Sequence, residues 1–579
     1  MTNVLAQTPT LAAAAADVAT IGSAIGEANA NAAGATTGVM AAAGDEVSAA
    51  AAELFGAYGQ AYRLVLTQAG AFHDQFAAAL AAAGSAYAEA EVAASNALGA
   101  LDAPAQALLA PLTGGAPSPN PAAPTPVNVA LILGASGVPI PSPQYIAAAY
   151  AKYISPFFTT NNLQSVFTPE GLYPITGIKD LQLNVSVDRG LTILNNSIMG
   201  QLATPGTKVT VFGYSQGAIL AALELPILQA AGVPTTDVSF VLVGNEMTPN
   251  GGMLARFPGL DIPSLGLPFY GGMNANTGYT VINNTLEYDG FADFPQYPID
   301  FLADLNAVMG IVYVHGTYLQ IPASQLAQTV TLSTSPGYSG GTTYNMIPTQ
   351  DLPLLDPVRA IPYVGNPIAD LLQPDLRYLV NWGYGDPNYG WSTGPANVTT
   401  PFGLFPPLSA TAALPGDLLS GAQQGIINAT ADFQAEGPPT LPALALPDLS
   451  GALTPAPMPS PGTLLSPATL DGFIAGLQSA NTNLAGGFAA NLSTAYATLL
   501  PTADIATAVV VTLPSYDANL FLNGISQALN GQPVEGLINA FGDPIVADVG
   551  LGTVAGGVEF LVDVAALDTI FTGTPFPSP

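Results

Sequence analysis

The apolar positions fall into three regimes along the chain. Over residues 1 to about 98 they recur at helical spacing. Val47, Leu54, Tyr58, Val65, Phe72 and Phe76 draw one ridge along a helix. Leu11, Val18, Ile21 and Ile25 draw a second ridge, and the Gly34 to Gly38 segment between them allows a helical hairpin. Two helices alone bury too little surface, so the ridge is expected to meet a partner. An internal seam against the rest of the chain is the alternative. Residues 99 to 126 lose the period. Pro117, Pro119, Pro121, Pro124 and Pro126 make this stretch a semi-rigid linker.

From 127 to 397 short apolar runs alternate with helix-like segments. Strands are expected at Val127 to Leu133, before Gly213, at Val238 to Val243 and at Tyr279 to Tyr288. Helices are expected near Pro143 to Tyr153, Val185 to Gln201, after Gly217 and near Ile299 to Met309. This alternation predicts an α/β fold, a parallel sheet with helices on both faces. The Gly-, Pro- and Phe-rich stretch Thr248 to Thr277 reads as an excursion over the site, a lid or substrate wall, against the alternative of a plain surface loop. From 398 to 579 the chain is Ala- and Pro-rich, with helical patterns at Thr469 to Leu500 and Leu520 to Phe541. That tail reads as either an accessory helical domain or an envelope-contacting segment, with no chemistry of its own.

Charge narrows the function. Eight Lys and Arg against 39 Asp and Glu give a net charge of −31. This excludes nucleic acid, whose binding is dominated by phosphate neutralisation, and disfavours anionic membrane surfaces. No Lys or Arg follows Arg377. Cysteine is absent and only His73 and His315 are histidines, so neither disulfides nor a thiolate or His-rich metal site is expected, and no cofactor is implied. His73 lies beside the aromatic ridge and reads as structural. The N-terminus lacks a basic leader region, so it is not a standard secretory signal. No uninterrupted apolar run approaches a membrane span.

Against this background one segment carries chemistry. Lys208 to Ala222, KVTVFGYSQGAILAA, reads as strand, sharp turn and helix around Gly213-Tyr214-Ser215-Gln216-Gly217. That is the context of the G-x-S-x-G nucleophile elbow, in which Gly213 and Gly217 leave room for backbone and Ser215 is pushed outward. The same spacing recurs around Ser339 and Ser392, but neither lies between a strand and an apolar helix. A serine nucleophile needs a base, and His315 is the single histidine downstream. The base needs a carboxylate. Asp289, at the end of its strand, is favoured by position, with Asp293 as rival. The oxyanion hole is expected from the N–H of Gln216 and from the Gly134-Ala135-Ser136-Gly137 loop, where Ser136 adds a hydroxyl; the alternative for that loop is a mere tight turn.

Two resemblances extend this reading. LAAAAADVATIGSAIGEANANAA, TTGVMAAAGDEVSAA and AFHDQFAAAL resemble the N-terminal domain of the mycobacterial PE family, although Pro9 is followed by Thr10 rather than glutamate. The resemblance implies a type VII secretion substrate that pairs with a PPE-family protein and is secreted or held at the cell envelope. Tyr87 and Glu91 match the family's export signal. LILGASGVPIPS, VFGYSQGAI, YDGFADFP and LNAVMGIVYVHGTY resemble the PE-PPE domain, a cutinase-like serine hydrolase. That resemblance implies an α/β-hydrolase fold and esterase activity on acyl (lipid-type) esters, with Ser215, an aspartate and His315 as triad. Acyl transfer to a sugar or lipid hydroxyl uses the same residues and stays open. So does a surface-interaction protein in which the hydrolase fold is incidental.

Overall fold

A computed structural model describes residues 128–436, except 161 and 179, and residues 497–572, with a few isolated positions elsewhere. The chain divides into two compact units, Met1–Ala123 and Pro124–Pro579. The first unit lies almost wholly outside the described residues, and with it the expected hairpin, His73, Tyr87 and Glu91.

The second unit is built on a seven-stranded sheet. In chain order its strands are β1 (Asn128–Ile132), β2 (Asn162–Ser165), β3 (Lys208–Tyr214), β4 (Val238–Val243), β7 (Thr280–Leu286), β8 (Val330–Thr331) and β9 (Thr342–Ile347). A separate two-stranded hairpin, β5 (Asp261–Ile262) and β6 (Leu267–Pro268), sits in the excursion after β4. The sheet order is β2-β1-β3-β4-β7-β9-β8. All pairings are parallel except the short edge strand β8 on β9. β1, β3 and β4 read as largely apolar runs because both faces are covered. Alternate side chains go to opposite faces. Val209, Val211, Phe240 and Leu242 join one cluster, while Phe212, Val241 and Val243 join the other.

The longer helices are α1 (Pro143–Ala149, continued by a π turn to Ile154), α2 (Leu183–Leu202), α3 (Gln216–Ala230), α4 (Phe301–Tyr313), α5 (Gly365–Trp382), α6 (Leu408–Glu436), α7 (Leu513–Leu529) and α8 (Pro533–Thr572). α3 is apolar nearly all round and correspondingly buried. α2 turns Leu183, Val187, Gly190, Leu194 and Ile198 inward. At Gly190 it comes so close that a Cβ would lie 2.8 Å from Leu220 of α3.

Three features depart from the expected organisation. First, the sheet includes β2, β8 and β9, which lack the long apolar run that announces β4. Second, α6 occupies a stretch read as Pro- and Ala-rich, in which no helical pattern is singled out. It runs antiparallel to α5, with Trp382 donating to Thr411 at 2.9 Å, and Gly425 where a Cβ would sit 2.2 Å from the Leu371 carbonyl. Small residues let the two backbones approach. Third, Ala497–Leu529 and Pro533–Leu567 are long and apolar enough to cross a membrane. Single acids, Asn, Ser and Gly break the apolar run in the sequence, but helix continuity carries them. These two segments fold back on each other at Gly531, and the hairpin leans on the sheet unit. Asp504 accepts from Tyr173 Oη at 2.7 Å, and Tyr516 Oη donates to the Pro258 carbonyl at 3.3 Å.

The excursion after β4 is not a free flap. Met253, Leu254, Phe257 and Leu260 join the main core together with Leu513, Tyr516 and Leu551 from the C-terminal helices. Buried Arg256 pins the segment through bonds to the carbonyls of Phe294 (3.1 Å) and Thr400 (2.8 Å) and to Ser392 Oγ (2.9 Å). The segment is packed into the core, which does not fit a lid.

Candidate active site

The C-terminal ends of β1, β3, β4 and β7 deliver the loops where an open parallel sheet carries its sites. β3 ends in the elbow. Ser215 has φ 54° and ψ −120°, a left-handed conformation that costs a non-glycine residue about 1–3 kcal/mol and persists only when surroundings enforce it. They do. A Cβ at Gly213 would lie 2.3 Å from the Gly217 carbonyl, and one at Gly217 would lie 2.4 Å from the Gly134 carbonyl. The elbow glycines are thus steric requirements, and they seat the β1 loop directly beneath the serine.

His315 follows α4 and meets Ser215 end-on. Its Nε2 lies 2.8 Å from Ser215 Oγ, and its Nδ1 lies 2.8 and 2.9 Å from the two oxygens of Asp289. An imidazole protonated at Nδ1 donates to the carboxylate and leaves Nε2 as acceptor for the hydroxyl. All three residues are buried. The Asp289 carboxylate also accepts from Tyr318 Oη at 2.7 Å and from the N–H of Phe291 at 3.1 Å. The ring of His315 is boxed by Phe291, edge-on at 4.8 Å, and by Gly244, where a Cβ would stand 3.1 Å from its Cε1. Tyr214 Oη donates to the His315 carbonyl. Burial by itself pulls the imidazole's pKa down, but the Asp289 charge and hydrogen bond, with Glu246 behind them, outweigh it, and the net direction is up.

Asp293 does something else. One of its oxygens accepts from the Tyr288 N–H at 3.1 Å, and the other has no partner. Burial raises its pKa well above the carboxylate range, with the neighbouring Glu287 and Asp289 charges adding to the effect. It braces the turn, and the imidazole is bonded to Asp289.

The side chain of Gln216 is spent on structure. Its Nε2 donates to Ser136 Oγ (3.1 Å) and to the Gly171 carbonyl (2.9 Å), and its Oε1 accepts from Ser186 Oγ (2.5 Å). This ties the β1 loop to the elbow. The Gln216 backbone N–H opens α3, where a helix leaves its first donors without intrahelical acceptors. In the β1 loop the Gly137 N–H goes to the Glu170 carbonyl at 2.7 Å, so that residue is not a donor to substrate. Ser392 is buried and accepts from Arg256 Nη2 at 2.9 Å.

Several residues of the site have no motif to announce them. Tyr318 Oη donates to Asp289 and accepts from the Leu286 N–H, and Ser186 Oγ donates to Gln216 and accepts from the Gly171 N–H. Glu246, just past β4, brings Oε1 to 3.3 Å from Ser215 Oγ. Glu170, after β2, is bonded to Thr168. The rule that sites gather at strand ends would have found Glu246, since it follows β4 as Asp289 follows β7. Among the described residues no group of three or more His, Asp or Glu is arranged to hold a metal. An open groove of about 750 Å³ runs between α2 and Pro268–Tyr270, and its lining includes none of Ser215, Asp289 and His315.

Comparison with known proteins identifies relatives of both parts. Residues 159–385 match the PE-PPE domain, and residues 4–94 match the PE family. In Mycobacterium tuberculosis the PE family protein PE3 is 44% identical over 451 residues, 77% of this chain and 92% of that protein. Esterase PE16 is 43% identical over 442 residues, 74% of this chain and 79% of its own. The PPE family protein PPE28 is 46% identical over 445 residues, 76% of this chain and 66% of its length.

Proposed function

The chain belongs to the PE family and carries a PE-PPE domain, and from that footing we propose that it is a serine esterase acting on acyl, lipid-type esters through an acyl-enzyme. The observation that carries the reading is the 2.8 Å approach of His315 Nε2 to Ser215 Oγ at a strained elbow, with Asp289 behind the ring. The relative named Esterase PE16 supports the reaction class. His315 takes the Ser215 proton as the oxygen attacks the ester carbonyl, and Asp289 holds the tautomer and the imidazolium that forms. The Gln216 N–H and the Ala135–Ser136 part of the β1 loop are the donors for the oxyanion. His315 then returns the proton to the leaving alcohol, and water releases the acyl group. Buried carboxyls surround the site and no Lys or Arg touches Ser215, which favours uncharged esters over phosphorylated ones.

A fluorophosphonate probe tests this directly. Wild type is expected to label and to hydrolyse a p-nitrophenyl acyl ester, while Ser215→Ala does neither and His315→Ala labels at a rate lower by orders of magnitude. Labelling that persists in Ser215→Ala removes the assignment. For residues 4–94 the proposal is pairing with a PPE-family protein and export by type VII secretion to the cell envelope or beyond, with Tyr87 and Glu91 in the signal. Tyr87→Ala should leave the protein inside the cell when culture fractions are probed; normal export would refute that role.

A further inference from the structure

Ser215 Oγ has two neighbours able to exchange a proton with it, and only one is the imidazole. Glu246 Oε1 stands at 3.3 Å, His315 Nε2 at 2.8 Å. A hydroxyl has one hydrogen. The shorter contact to an acceptor nitrogen claims it, so the contact to Glu246 is a hydrogen bond only if the carboxyl supplies the proton. We propose that Glu246 is a further catalytic residue of this site: as a neutral acid it donates to Ser215 Oγ while Ser215 donates to His315, and its ionisation stops the attack. The inference rests on Ser215 being the nucleophile.

The surroundings make a neutral Glu246 reasonable. It is buried, and the groups that face it are His315 after α4, Asp289 after β7, Ser215 at the elbow and Glu170 after β2. Burial pushes its carboxyl up to about 7; the imidazole pulls the other way and Asp289 adds to the rise. Glu170 is pushed up to about 8, again by burial first. His315 and Glu246 therefore share protons as a coupled pair. Two protons give an imidazolium that cannot act as base. One proton resting on Glu246 gives the arrangement described above. No proton leaves a carboxylate that competes for the Ser215 hydrogen and repels the oxyanion that forms when Oγ adds to the carbonyl. During attack the Ser215 proton goes to Nε2, the new bond is Oγ–C, and Glu246 keeps its proton throughout.

The consequence is a bell-shaped pH dependence whose upper limb belongs to Glu246. The full-length chain is labelled with a fluorophosphonate across pH 5 to 10, and the second-order rate is read at Ser215. Wild type should rise and then fall. Glu246→Gln keeps a donor and cannot ionise, so the upper limb should vanish, and the ratio of variant to wild type should climb about tenfold per pH unit above that limb. Its lower limb should not fall below that of wild type, because Glu246 is already neutral where the imidazolium loses its proton. Glu246→Met, which fills similar volume without a proton, should also lose the upper limb. It serves as the second case if the Gln variant fails to fold. An upper limb that survives in either folded variant, or a wild-type profile without one, overturns the role of Glu246. Failure of wild type to label at Ser215 at any pH sinks the nucleophile assignment instead.

Discussion

The C-terminal edge of the sheet and the C-terminal helical pair solve opposite problems. At the sheet edge polar groups are drawn inside. Ser215, Asp289, His315 and Glu246 are all below 10% exposed, and each has a named partner. Along the Ala497–Leu529 segment and α8 it is the apolar groups that remain outside. Leu529 is 82% exposed and Val510 72%, while Leu520 and Tyr516, on the same stretch, are buried. The difference teaches where specificity lies. In the first region one oxygen or one nitrogen decides the chemistry, and geometry is over-determined. In the second a single inward stripe decides the packing, and the rest of the surface is left unspecified by the fold.

The sharpest test of the first region compares its two aspartates, which lie four residues apart and are both fully buried. Asp289→Asn should lower kcat/KM for an ester by about 10³–10⁴, because an amide at that place favours the wrong imidazole tautomer. Asp293→Asn should retain most of the activity, since its carboxyl faces the Tyr288 N–H. Equal losses from the two substitutions would erase the distinction drawn between them.

For the helical pair the largest effect should come from its inward stripe. Leu520 belongs to the core shared with Phe257 and Leu254 of the excursion. Leu520→Ala is expected to cost about 2–5 kcal/mol in denaturant unfolding, the usual range for deleting a buried leucine. A loss below about 0.5 kcal/mol would mean that the helices merely touch the sheet unit.

The same contrast governs what could be read from the chain. The elbow was legible because its demands are local: two glycines a Cβ cannot replace, a β-branched strand before and an apolar helix after. His315 was legible because there is one histidine downstream, and β4 because a strand covered on both faces is apolar throughout. The strands β2 and β9 were not, since NLQS and TTYNMI borrow their places from neighbours already in the sheet. α6 was hidden by Pro415 and by a composition shared with linkers. Glu246 was passed over for a different reason: its place just past β4 was the one signal it gave, a lone glutamate after Gly244-Asn245 forms no motif, and its role comes from the 3.3 Å contact. The assignment of Asp289 over Asp293 depended likewise on direction, which spacing alone does not encode.

A smaller effect follows from the carboxyls buried in the sheet unit. Glu224 lies between α2 and α3, accepts from Asn195 at 2.6 Å, and is pushed by burial from 4.5 up to about 7. Asp300 is pushed by burial from 3.8 up to about 7. A carboxyl whose folded pKa is raised holds its proton longer in the folded state. Its contribution to stability is therefore complete below its unfolded pKa and is lost as pH rises to the folded one. For Glu224 that window runs from about 4.5 to about 7. Tm should accordingly be higher at pH 5 than at pH 8, and Glu224→Gln should flatten the decline. A Tm that rises over this interval, with Glu224→Gln following wild type, contradicts the burial argument.

The smallest expected effect concerns the outward side of the helical pair. Val510 and Leu529 contribute little to the core, being 72% and 82% exposed. Replacing either by Gln removes apolar surface that folding never took out of water, so the change in unfolding free energy should stay within about 0.5 kcal/mol. Helix propensity points the same way, since Gln ranks with or above Val and close to Leu in a helix interior. Solubility is the property that should move: a double variant at these positions is expected to stay monodisperse in gel filtration to a higher concentration than wild type, because it removes exposed apolar surface, which favours association. Should Val510→Gln instead unfold the chain as Leu520→Ala does, the outward face would have to be covered in the folded protein, and the opposition between the two sides of the pair would fail.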